Sequence, residues 1–313
     1  MKTYVFGHIK PDLDSVVAAL AFTEYMKIHW DPNSIPVIID ELNQETKFVF
    51  EKFDLTPPQL LKVEDITTED RVVLVDHNEA GQRLPGLNQN QIAGIFDHHK
   101  ANLNFSSPIE INILPVGSSN TLAWILFKNL QHPIEKQLAS LMLCAILSDT
   151  VGLKSSTTTK SDEVAVLELA SIASIQDISA LTLEIFKAKS NISALSDEQV
   201  VLNDYKVLDI TGKKVLCGQI ETVEQETLLT DRKQGLLSVL QSIKLQQGVD
   251  FIMLAITDIL KINTKLLVSG VGEIKLIQKA FGGTVVENIL DIGPKMSRKK
   301  DIAPAIEKAL THT

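Results

Sequence analysis

Along the chain, short runs of aliphatic and β-branched residues alternate with longer stretches whose apolar positions return every three or four residues. Residues 4–6, 37–39, 72–75, 92–96 and 109–114 are predicted strands, while 15–27, 45–53, 120–129, 135–147 and 162–173 carry the helical period. That alternation is the rhythm of a parallel α/β sheet, with helices expected on both faces. A weak helical pattern over 180–189 gives way to Ser190-Asn191-Ile192-Ser193, a polar break and candidate hinge. A second unit follows: strands at 206–210 and 214–220, a helix at 223–245, strands at 251–257 and 265–269, a helix at 273–280 and a last helix from about Ile302. The expected organisation is a parallel-sheet domain over 1–190, a linker at 191–195 and a smaller mixed-sheet α/β domain over 196–313. The length of 313 residues agrees, at roughly 100–200 residues per domain. No internal repeat or low-complexity tract interrupts the pattern.

The longest apolar stretches, such as 138–147, fall well short of the roughly 20 residues a bilayer crossing needs, so no membrane span is predicted. Met1-Lys2-Thr3-Tyr4-Val5-Phe6 enters a strand directly, without the basic and apolar regions of an export signal. Cys144 and Cys217 form neither a disulfide framework nor a CxxC pair, which suits a reducing compartment. The location expected from these features is cytoplasmic. Net charge is −9, and the whole acidic excess lies before Leu195. An acidic domain repels bare nucleic acid, and an aromatic content of 5% leaves little for base stacking. Carboxylates offset by bound cations would still admit a phosphate substrate.

Candidate chemistry gathers where predicted strands end. His8, Asp12 and Asp14 follow the first strand and precede the first helix, with Gly7 and Pro11 shaping the turn. Asp76 closes the strand at 72–75 and is followed by His77-Asn78-Glu79, and Asp97-His98-His99 closes the strand at 92–96. Open α/β sheets place their ligands at carboxyl strand ends. Singly, each cluster also reads as a cap, a turn former or a satisfied loop histidine. Three successive strand ends carrying His or Asp are hard to explain that way. Adjacent histidines point apart on an extended chain, so one can take metal while the other faces substrate, with Asp97 fixing a ring tautomer. Asp149 ends a predicted helix, where its charge opposes the macrodipole and a cation would compensate it. Oxygen and imidazole ligands without thiolate suit Mn²⁺, Co²⁺ or Mg²⁺, and this many carboxylates suits a pair of cations sharing one. In the second unit Ser297-Arg298-Lys299-Lys300 supplies a fork and point charges for phosphate oxygens, although such a run is also an ordinary solvated face.

The order His8-x-x-x-Asp12-x-Asp14, Asp76-His77-Asn78-Glu79, Asp97-His98-His99, Pro115-Val116-Gly117-Ser118, Ser148-Asp149-Thr150 and Ser297-Arg298-Lys299-Lys300 resembles that of family II inorganic pyrophosphatases, in the DHH phosphoesterase superfamily. The resemblance spans nearly the whole chain. It implies that His8, Asp12 and Asp76 hold one cation, that Asp14, Asp76, His98 and Asp149 hold the other, and that Asp76 bridges them. It further implies phosphate contacts from His99, Lys206, Arg298 and Lys299, a homodimer through the N-terminal domain, and Mn²⁺ as the metal. Two ions per subunit are expected, with Co²⁺ or Mg²⁺ as substitutes and additional Mg²⁺ arriving with substrate. Leu13, Asn120 and Ser156 depart from the family's usual residues, and none is a proposed ligand. No regulatory insert separates Asp149 from Ser196, so adenine-nucleotide control is not expected.

The expected reaction is hydrolysis of inorganic pyrophosphate by a metal-bridged hydroxide, in a cleft between the domains where closure assembles the site. The rival enzyme is a related phosphodiesterase acting on short oligonucleotides or bisphosphonucleosides. A metal-dependent binding protein without turnover is the rival of another class.

Overall fold

Val72, Val73, Leu74 and Val75 are all fully buried, the mark of a strand covered on both faces rather than one half-exposed to water. A computed structural model describes residues 1–190, 192–193 and 195–311 of the chain. They divide into two compact units, Met1–Lys189 and Ser190–Thr313. Of the expected linker, Asn191 and Ala194 lie outside the described residues.

The first unit contains β1 (Thr3–Phe6), α1 (Leu13–His29), β2 (Ser34–Ile38), α2 (Gln44–Lys52), β3 (Gln59–Leu60), β4 (Arg71–Val75), β5 (Ile92–Asp97), β6 (Glu110–Ile113), α3 (Ser119–Asn129), α4 (Lys136–Asp149), α5 (Lys160–Ala173) and α6 (Ile178–Lys189). Its six strands form one sheet in the order β3-β2-β1-β4-β5-β6, every pair parallel. Each predicted strand and helix of this unit appears, and the strand predicted at 37–39 starts earlier, at Ser34. The two-residue β3 carries too few positions to show a period.

Helices were expected on both faces of this sheet, and the α-helices occupy one. Val5, Val73, Val75 and Phe96 pack with the buried residues of α1 to α6, including Phe22, Phe127, Met142 and Leu169. The opposite face, with Tyr4, Phe6, Val72, Leu74 and Ile95, packs on Leu61, Val63, Leu84, Leu87, Leu103 and Phe105. These come from connections built of short 3₁₀ turns and irregular chain. The β4–β5 connection carries Gly81, Pro85, Gly86, Asn88 and Asn90, residues that favour turns over a helix, so apolar side chains from turns cover this face instead.

The second unit contains α7 (Asp197–Leu202), β7 (Asp204–Ile210), β8 (Lys213–Thr222), α8 (Gln225–Gln247), β9 (Phe251–Asp258), β10 (Asn263–Leu267), α9 (Val271–Phe281), β11 (Ile289–Asp291) and α10 (Ala303–Thr311), the last preceded by a π-helical turn at Arg298–Ile302. Its sheet runs β11-β10-β9-β8-β7, with β8 and β9 parallel and the other pairs antiparallel, which makes it the mixed sheet expected. Helices sandwich it: Val200, Leu228 and Leu240 cover one face, and Leu276, Ile277 and Ile306 the other. The sequence pattern missed α7 and β11, which are short. Ser196 and Gln199 do form a capping box at α7, a local start signal the sequence carried.

Candidate metal centre and phosphate site

Sheet order decides where a site can open. From β1 the chain moves to β2 on one side, and from β4 it moves to β5 on the other, although β1 and β4 are neighbours. The connections therefore part above the carboxyl ends of β1 and β4, leaving a crevice at the switch point. Asp76, at the end of β4, takes a left-handed backbone conformation (φ 60°), and its N–H continues the ladder to the Phe96 carbonyl at 2.9 Å. Aspartate tolerates that conformation better than most residues.

The turn after β1 is equally constrained. A Cβ at Gly7 would lie 1.7 Å from Ser15 Oγ, so only glycine permits this approach. Ser15 Oγ accepts the His8 N–H at 3.1 Å, while Asp12 caps α1 by accepting the Ser15 N–H at 2.9 Å. Within this cluster the capping role thus belongs to Asp12. Its position as a cap leaves Asp14 in the first helical turn, where the macrodipole favours a negative charge.

The six predicted ligands come together as two groups. His8, Asp12 and Asp76 each bring a ligand atom within 4.8 Å of the others, and so do Asp14, His98 and Asp149. His8 Nε2 lies 3.5 Å from Asp76 Oδ2 and 3.8 Å from Asp12 Oδ1. His98 Nε2 lies 3.3 Å from Asp76 Oδ1, 3.4 Å from Asp149 Oδ2 and 3.9 Å from Asp14 Oδ2. One carboxylate, Asp76, therefore turns one oxygen to each group.

The donor set fits divalent cations. His8 Nδ1 donates to the Ile9 carbonyl at 2.8 Å and His98 Nδ1 to the Val116 carbonyl at 3.0 Å, so in the neutral rings each Nε2 carries the lone pair aimed at the carboxylates. His98 Nε2 is buried and, among the described residues, has no hydrogen-bond partner, an orphan that a cation would satisfy. Without a cation the site holds protons in its place. Burial, then the Asp76 charge, pushes Asp14 up to about 7, and burial, then Asp14, pushes Asp149 up to about 9. At the histidines burial opposes the charged ring, yet Asp12 and Asp76 carry His8 up to about 11, and Asp76 and Asp14 carry His98 up to about 10. Asp76 goes the other way: against its burial, His8 and His98 hold it well below the usual carboxylate range.

His99 faces outward. Its side chain is 56% exposed and its Nδ1 donates to Asp97 Oδ1 at 2.9 Å, which leaves Nε2 for a ligand beyond the metal groups. The anchoring role expected of Asp97 falls on His99, whereas a backbone carbonyl anchors His98. Asn78 Nδ2 donates to the other Asp97 oxygen at 2.5 Å. His77 is buried, donates through Nδ1 to the Val75 carbonyl at 2.9 Å and meets the His8 ring edge-on, so it orients the turn.

Several side chains that hold the ligands had no assigned role in the sequence. Ser118 Oγ and the Ser119 N–H donate to Asp14, and Ser119 Oγ donates to Asp76 Oδ1 at 2.9 Å. Asn120, one of the departures from the family pattern, donates through Nδ2 to Asp14 Oδ1 at 2.9 Å and to the Asp14 carbonyl at 3.1 Å. The signal available was Pro115-Val116-Gly117-Ser118, which marked the segment without revealing what it touches.

In the second unit Lys206 from β7 and Arg298 and Lys299 from the π-helical turn line one hollow of about 550 Å³, with Gln219 and Ser297. Arg298 is steadied by Asp204, donating to its carbonyl at 2.9 Å and its carboxylate at 2.8 Å, a partner the sequence did not disclose. Lys206, which only the resemblance singled out in the sequence, thus lies beside the basic run.

Residues 2–146 match the DHH family, N-terminal domain, and residues 183–309 match the DHHA2 domain. The chain is 35% identical to the manganese-dependent inorganic pyrophosphatase of Methanocaldococcus jannaschii, across 98% of both chains. It is also 35% identical to the enzyme of that name from Methanothrix thermoacetophila, across 98% of this chain and 97% of the relative. A crystal structure of a putative family II inorganic pyrophosphatase from Methanococcus jannaschii superposes with a TM-score of 0.62 at 33% identity, covering 99% of each chain. The ligand order, the two-unit build and these full-length likenesses agree: the chain belongs to the family II, manganese-dependent inorganic pyrophosphatases, with a DHH domain followed by a DHHA2 domain.

Proposed function

We propose that the protein hydrolyses inorganic pyrophosphate to two phosphates with two divalent cations per subunit, Mn²⁺ by preference and Co²⁺ or Mg²⁺ as substitutes. The observation that carries this reading is the Asp76 carboxylate, shared between the His8 group and the His98 group. His8, Asp12 and Asp76 would hold one cation, and Asp14, Asp76, His98 and Asp149 the other. When bound, such a pair acidifies a water nucleophile and neutralises phosphate charge. The chain's own residues do the rest. Lys206, Arg298 and Lys299 take the phosphate oxygens, Arg298 with its guanidinium held in place by Asp204, and so stabilise the charge of a loose phosphoryl-transfer transition state. His99, held by Asp97 with Nε2 outward, has its ring pKa raised by that carboxylate and, as the imidazolium, donates a hydrogen bond or proton from Nε2 to the departing phosphate oxygen. Additional Mg²⁺ enters as part of the substrate.

In this reading 1–190 is the metal-binding catalytic domain, 191–195 the linker and 196–313 the substrate-binding domain. We place the protein in the cytoplasm; among the described residues no single helix is long and apolar enough to cross a membrane. A homodimer through the first domain is supported by the outer strand β6, which leaves Ile111 44% and Leu114, just beyond it, 37% exposed at a sheet edge able to pair.

Metal-stripped protein given Mn²⁺ should release phosphate rapidly from pyrophosphate and slowly from a dinucleotide. Rapid turnover of the dinucleotide alone would sink the proposal. Arg298→Ala should lower kcat at saturating pyrophosphate by about 10²-fold, the scale for removing one preorganised charge donor. An unchanged kcat would remove the second unit from catalysis.

A further inference from the structure

Asp162, at the start of α5, belongs to neither candidate cation group, and its side chain is fully buried. Both its oxygens accept the Gly117 N–H at 3.0 Å. Oδ1 also accepts Thr121 Oγ1 at 2.6 Å, and Oδ2 accepts the N–H and the hydroxyl of Thr159, each at 2.6 Å. The Thr159 contacts cap α5. Those from Gly117 and Thr121 have no part in that cap and fasten the 116–121 segment at both ends.

That segment braces three ligands that come from three different elements. The Val116 carbonyl sets the His98 ring, Ser118, the Ser119 N–H and Asn120 hold Asp14, and Ser119 Oγ holds Asp76. The space is closed as well: a Cβ at Gly117 would lie 2.6 Å from Thr150 Cγ2 and 2.9 Å from Asp162 Oδ2. A shift of the segment therefore moves α1, β4 and β5 ligands together. We propose that Asp162 is a positioning residue for the metal centre, setting cation affinity through the 116–121 segment while touching no cation itself. The inference rests on the two-cation reading above.

The test is Mn²⁺ titration of the metal-free full-length protein, well below its melting temperature, with the melting temperature measured in parallel. Asp162→Asn keeps the shape but leaves one acceptor oxygen for donors that now use two, and Gly117→Ala displaces the segment with Asp162 intact. Each should weaken Mn²⁺ binding by roughly 10–100-fold, the usual scale for groups that orient metal ligands. Leu169→Ala, in the buried core of α5, should lower the melting temperature and leave the Mn²⁺ dissociation constant unchanged. If Asp162→Asn does not fold, Gly117→Ala decides. The proposal is overturned if the folded variants bind Mn²⁺ like the wild type, or if Leu169→Ala weakens binding as much as they do. Wild-type protein that binds no Mn²⁺ overturns the functional reading and this inference with it.

Discussion

Asp76→Ala is expected to remove cation binding from both groups at once and to cut pyrophosphate hydrolysis by on the order of 10³-fold or more. Cations contribute several kcal/mol to such a transition state, and each 1.36 kcal/mol is tenfold in rate. The prediction follows from one side chain serving two clusters: Oδ2 faces His8 at 3.5 Å and Oδ1 faces His98 at 3.3 Å. Loss of Asp12 or Asp149 should spare the other cation's ligands, because each belongs to a single group. Metal content after dialysis, measured beside kcat, separates the cases. Asp76→Ala protein that retains two tightly held Mn²⁺ ions would refute the bridging role.

Cation affinity should climb with pH by roughly one to three decades per unit between pH 6 and 8, since ligands must shed protons to bind metal. The sign follows from the protons that the cation-free site retains. Asp14 and Asp149 rise from 3.8 to about 7 and about 9, while His8 and His98 rise from 6.5 to about 11 and about 10. In all four cases the folded protein binds protons more tightly than the unfolded chain, so metal-free stability falls as pH rises. The carboxyl contribution is whole below pH 3.8 and lost through about 7 to 9, and the imidazole contribution is whole below 6.5 and lost through about 10 to 11. Asp76, depressed by His8 and His98 against its burial, has the opposite sign and acts only in acid. Chelator-treated protein should melt at lower temperature at pH 9 than at pH 6, with Mn²⁺-saturated protein changing less. An Mn²⁺ affinity independent of pH would refute the proton count.

The candidate ligands were legible because their chemistry is local. Each is a His or Asp just beyond an apolar strand, or at a helix end, and strand order brings such positions to one crevice. What holds the ligands was not legible. Asp162 reads in sequence only as the start of a helix, and its contact with Gly117 spans 45 positions that no periodicity links. Asn120 looked like a departure in a loop, and its use appears only once α1 brings Asp14 beside it. The one-sided placement of the α-helices was hidden for a related reason. Periodicity locates helices but does not say which face they cover, and the turns that close the other face carry apolar residues without a period.

The shared Asp76 also bears on how the chain folds. Its partners lie in the turn between β1 and α1 and just beyond β5, so neither candidate cation group is complete until parallel strands distant in sequence have paired. Closing such loops is slow and entropically costly, so the candidate ligands meet only once that strand pairing is in place. Cations that bind only to the assembled site would leave the rate of folding nearly unchanged and act by slowing unfolding. Loaded protein would owe its persistence to a higher exit barrier, and a chelator would shorten its lifetime long before it altered the speed of refolding.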